Sequence, residues 1–228
     1  YKKKFKALIK VNYDFGSCTY EGKVWQNGDL HDHIQNIDGN LISSLNVKLY
    51  DGNIFNSTKF KLLIPKTRNG KNEILGTLIL KSLGFITPET FEVIMNVNNI
   101  KSKMIFQEDA QKELIERNKR REGPIYEGDE NLFWSDEQFS IFKKFGGGGL
   151  EIISLSRLIN DKWFLKGKSS QAIVLKSFDR LQEAYLEYTD KFISDGLLIL
   201  PNNNSSDIFL DYNFLMLAMD GWHGLRPH

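Results

Sequence analysis

Near the end of the 228-residue chain, in "FLMLAMDGWHGLRPH", an apolar run gives way to Asp220, Gly221, Trp222, His223, Gly224, Arg226 and His228. An acid at the end of a buried-looking helix, followed by glycine and set among polar groups, suits work as a general base on a hydroxyl. A helix-ending Asp-Gly turn accounts for the same residues. Lys59 and Lys61 lie two apart in "TKFKLLIP", and Glu108 ends the segment "IKSKMIFQE". Across a sheet, a lysine and a carboxylate can shelter a ligand between them, the lysine binding nucleotide phosphates while the acid positions it. Solvated lysines on a wet sheet face are the plain alternative.

All four histidines fall in two short windows, His31 and His33 in "GDLHDHIQ" and His223 and His228 in the tail. In an extended segment Asp29, His31 and His33 share one side, a geometry open to a metal ion and so to a metal-dependent hydrolase. An H-x-H in a polar loop also occurs without any ligand. "RNKRRE" at 117–122 concentrates cations, but Glu113, Glu116 and Glu122 flank it and no aromatics interleave, so it reads as a solvated helix face. "GGGG" at 146–149 fits neither phosphate-loop spacing and reads as a linker.

These groups need elements to hold them. Period-two alternation in "FKALIKVNYDFGS", "SSLNVKLYDGNIF", "TKFKLLIP" and "FEVIMNVNNIKSKMIFQE" predicts an antiparallel sheet with a wet side, with turns at Asp51-Gly52 and Asn98-Asn99. "NEILGTLILKSLGF" changes to helical spacing and has Gly84 where a helix end wants a left-handed residue. Beyond a boundary at residues 122–130 the chain turns helical, in "SDEQFSIFKKF", "SLSRLINDKWFL", "QAIVLKSFDRLQEAYLEYTDKFISDG" and "SDIFLDYNFLMLAMD". Strands followed by helices define an α+β chain with a sheet-rich region, 1–125, and a helical one, 126–228.

Composition narrows the partners. Thirty basic against 29 acidic residues leave a net charge of +1, so no overall field points to nucleic acid. No stretch reaches the roughly 18 apolar residues of a membrane span, and the single cysteine, Cys18, excludes an intramolecular disulfide framework.

The order of these segments resembles the CotH family of spore-coat-type kinases, which have an atypical protein kinase fold. "TKFKLLIP" looks like the family's lysine-bearing strand. "SLGFITPETFEVIMNVNNIKSKMIFQED" is similar to its helix end, Pro-bearing link and carboxylate-closed hairpin, and "DIFLDYNFLMLAMDGWHGLRPH" to its catalytic-loop helix. The resemblance implies a two-lobed, protein-kinase-like fold whose helical C-terminal lobe is incomplete. It implies ATP and Mg²⁺ as cofactors and a protein hydroxyl as acceptor. Asp220 would be the catalytic acid, Glu108 the acid on the nucleotide side, and Lys59 or Lys61 the phosphate-binding lysine. Because the family's metal-binding residues fall beyond His228, it also implies a domain cut inside its catalytic loop and inactive as it stands, with no metal ligand assigned. A non-catalytic binding or scaffold module with the same fold is the competing expectation.

Overall fold

The computed structural model describes residues 2–28, 33–37, 39–128, 156–195 and 206–219. The chain divides into two compact units, Tyr1–Arg121 and Glu122–His228.

The first unit is α+β and is dominated by a six-stranded antiparallel sheet curled into a half-barrel. Its strands are β1 (Phe5–Tyr13), β2 (Gly16–Gln26), β5 (Leu45–Leu49), β6 (Lys59–Leu63), β8 (Ile100–Glu108) and β7 (Thr90–Val97), in that spatial order. A separate hairpin of β3 (Ile34–Ile37) and β4 (Asn40–Ser43) leaves the chain between β2 and β5. Helix α1 (Asn72–Ser82) connects β6 to β7, and the short α2 (Lys112–Arg117) follows β8. Local chemistry sets these boundaries. Pro65 opens a 3-10 turn, Pro65–Arg68, that ends the strand direction of β6. Gly84 has φ +87° just past α1, and Asn98 and Asn99 both adopt positive φ, as the tightest β-hairpin turn requires.

Alternation assigns the strands two faces. On one face Val47, Leu49, Ile54, Phe60 and Phe106 form the buried core, joined by Ile9, Val24, Leu62 and Phe91. Phe106 stacks on Phe60 and Phe91, with ring centroids 4.7 and 4.8 Å away, and Phe55 packs edge-on at 5.8 Å. The β3–β4 hairpin contributes Ile42 to a second cluster with Ile64 and Met104. At the rim of this face, burial and then the 3.2 Å hydrogen bond to Tyr20 hold the Tyr13 phenol above the ordinary tyrosine range. Gly22 lets β2 and β5 approach, since a Cβ there would sit 2.6 Å from the Lys48 carbonyl oxygen.

The opposite face is not wet throughout. Leu63 and Ile105, partners in register on the lysine side, are fully buried, and α1 meets this face where Gln107 Nε2 donates to Glu73 Oε1 at 2.5 Å.

In the second unit β9 (Tyr126–Gly128) pairs with β10 (Ser156–Leu158), followed by α3 (Asp161–Phe164), α4 (Lys168–Asp195) and α5 (Ser206–Ala218). Of the segment 154–165, predicted as one helix, the described residues 156–165 form a short strand and a single helical turn. Asn160 separates them: its buried side chain accepts from Ile125 N–H at 2.8 Å and donates to the Gly123 carbonyl at 2.8 Å, bonds that fix it outside a helix. Tyr126 reaches α4, donating to the Val174 carbonyl at 2.8 Å.

Candidate functional site

The seam between β6 and β8 carries the residues that the sequence singled out. Its register sets Phe60 opposite Glu108 and Lys61 opposite Gln107. Since successive side chains leave opposite faces, Lys59 and Lys61 emerge together on one face while Glu108 lies on the other with Phe60 and Phe106. The two lysines are thus brought together, and Glu108 is not brought to them.

The acid beside the lysines is Asp109. Lys59 Nζ lies 2.5 Å from Asp109 Oδ2, and Lys61 Nζ lies 3.8 Å from Oδ1. Both lysines are about one-third open, with side-chain exposures of 27% and 31%, whereas Asp109 is 11% exposed. Asp109 is fixed by its surroundings: its N–H donates to the Lys59 carbonyl at 3.1 Å, and Gln111 Nε2 donates to Oδ2 at 3.1 Å. At 3.8 Å the Lys61 ammonium is attracted by charge without a hydrogen bond to this carboxylate. Two cations sharing one carboxylate keep an excess positive charge, which suits an anion with several oxygens such as a phosphate chain. Once the β6–β8 register is known, alternation finds Asp109, which stands two residues after Gln107 and so falls on the lysine face.

Glu108 sits in a separate network. Its side chain is 1% exposed, and Oε2 accepts from Arg117 Nη2 and, at 3.1 Å, from the Glu89 N–H. Arg117 also donates to Glu89 Oε1 at 2.7 Å and to the Thr87 carbonyl at 3.1 Å, and Lys81 joins Glu89 at 3.1 Å. This network, buried at Glu108 and opening to solvent at Lys81, ties α2 to the segment leading into β7. Arg117, expected on a solvated helix face, is instead turned inward, because α2 stops after six residues and places it over a buried carboxylate.

Asp220, Asp29, His31, His223 and His228 lie outside the described residues. His33 is described; it precedes β3, and its carbonyl accepts from the Ser44 N–H at 2.9 Å. Among the described residues no three His, Cys, Asp or Glu side chains converge as a metal site. No family model and no curated protein matches this chain.

Proposed function

We propose that this chain belongs to an ATP- and Mg²⁺-dependent phosphotransferase acting on a protein hydroxyl, with the two-lobed kinase-like architecture of the CotH family that it resembles. The observation that supports the reading best is the pair Lys59 and Lys61, held side by side on one sheet face, each about one-third exposed, with Asp109 between them. The order of β6, α1, β7, β8 and α2 is compatible with it, since a helix inserted between the lysine strand and a returning hairpin is the order on which the resemblance rests.

In this reading Lys59 and Lys61 bind phosphate oxygens, and Asp109 fixes the direction of the lysine side chains. Bound ATP supplies the terminal phosphoryl group: the acceptor oxygen bonds to phosphorus as the bond to the bridging oxygen breaks, leaving ADP. Asp220 takes the proton of the acceptor hydroxyl. Glu108 supports the corner from which Asp109 projects, through its ion pair with Arg117.

Calorimetric titration of the full chain with ATP and Mg²⁺ is expected to show binding that Lys59→Ala with Lys61→Ala weakens by about tenfold or more. In the chain extended beyond His228, intact-mass spectrometry should show added phosphate that Asp220→Ala abolishes. Binding unaffected by the two lysine changes, or phosphate incorporation no lower in Asp220→Ala than in a surface control, would overturn the assignment. Nucleotide binding with no transfer by the extended chain would instead favour the non-catalytic binding module, a reading that the unequal charge on the lysine face also supports.

A further inference from the structure

The register of four neighbouring strands produces an unusual row. Lys6 of β1 stands directly opposite Lys23 of β2, Lys23 opposite Lys48 of β5, and Lys48 opposite Lys59 of β6. Like charges directly opposite one another on adjacent strands disfavour the sheet, and here three such pairs follow in succession. With Lys10 and Lys61, the same face of these strands holds six lysines, and the carboxylate among its strand positions is Glu21. Lys6 is exposed and Lys23 half-exposed, and neither has an ion-pair partner among the described residues. A shallow depression of about 310 Å³, lined by Lys6, Leu8, Glu21 and Tyr50, opens beside the row.

We infer that this lysine face is a docking surface for an acidic, extended protein segment, which rests on the phosphotransferase reading in making that segment part of the acceptor. Charge complementarity selects an anionic partner, and the row ends at Lys59, so a segment lying along it leads to the proposed phosphate site. Neighbouring strands are about 4.8 Å apart, so the four lysines extend over about 14 Å, the span of three acidic residues at alternate positions of an extended peptide. An acidic peptide fits better than a single-stranded nucleic acid, because the exposed aromatic beside the row, Tyr50, offers a platform for one base and not for a succession of them. The Trp25 ring on this face already has the Lys4 ammonium 5.2 Å from its centroid. The depression beside Leu8 and Tyr50 would take an apolar side chain of the same segment.

Fluorescence anisotropy on the full chain tests this without any transfer reaction. The probes are a labelled twelve-residue peptide with Glu or Asp at alternate positions, its Gln/Asn counterpart, and a single-stranded oligonucleotide. The acidic peptide should bind, weaken as salt rises, and lose at least about fivefold in affinity in Lys6→Glu with Lys23→Glu. Lys6→Gln with Lys23→Gln, which removes charge without reversing it, should lose less, and circular dichroism checks that both variants fold. ATP binding should be unchanged in both, so a failed docking surface is distinguishable from a failed nucleotide site. Equal binding of the neutral peptide, undiminished affinity in folded Lys6→Glu with Lys23→Glu, or tighter binding of the oligonucleotide would each overturn the inference.

Discussion

Lys59 and Phe60 are neighbours in β6, yet Phe60 lies buried in an aromatic stack while Lys59 faces a row of like charges. The same contrast holds along β1, β2 and β5, whose alternate residues supply an apolar core on one side and lysines on the other. Burying aromatic and branched side chains stabilises the sheet, whereas opposed lysines work against it. Where β1, β2, β5 and the start of β6 carry the lysine row, the apolar core lies on the other face, so the composition of that row has to answer to something besides folding.

The sharpest way to break this comparison is Phe106→Ala. It removes the ring that touches Phe60, Phe91 and Phe55, and chemical denaturation should show a loss of about 3–5 kcal/mol. Arg117→Ala should come next, at about 3 kcal/mol, since it leaves the buried Glu108 carboxylate without its cation. Glu108→Gln added to Arg117→Ala should recover part of that loss; no recovery would mean that Arg117 acts by packing and not by charge. The smallest effect should have the opposite sign. Lys23→Gln relieves two opposed pairs at once and should raise stability by about 0.2–1 kcal/mol, more at low salt than at high. A lower denaturation midpoint in Lys23→Gln would show that the row is not repulsive and would remove the contrast between the faces.

Much of the first unit was legible because its signals are local. Alternation in β1, β5, β6 and β7, the paired asparagines at 98–99, and Gly84 after α1 each depend on only a few neighbouring residues. What escaped depends on distant partners. Leu63 and Ile105 are buried on the lysine face, a face that meets α1 at Gln107, and nothing in either strand announces that helix. Ser156–Leu158 is a strand only because Tyr126–Gly128 pairs with it, and three residues are too few to show a period. At the site, the lysine pair followed from strand alternation. Glu108 was paired with the lysines because it ends the hairpin, but the register with β6 turns its side chain to the other face, against Arg117, and Asp109, just past β8, is the acid beside the lysines. "RNKRRE" concealed this, since charged neighbours on both sides make an inward-facing arginine look solvated.

The strand order has a kinetic consequence. β1 pairs with β2 and β5 with β6 through short connections, β2 pairs with β5 across the β3–β4 hairpin, and β7 and β8 form their own hairpin through a two-residue turn. The remaining pairing, β6 with β8, must wait until the whole of α1 and β7 has been looped out, because Phe60 meets Glu108 across that insertion. Pairings that close such long loops are the slow ones. Topology therefore predicts that the sheet assembles as two pieces joined last at one seam, and that seam is where Lys59 meets Asp109 and Arg117 pairs with Glu108. The groups proposed to bind phosphate are in place only once the final zipper of the sheet has closed.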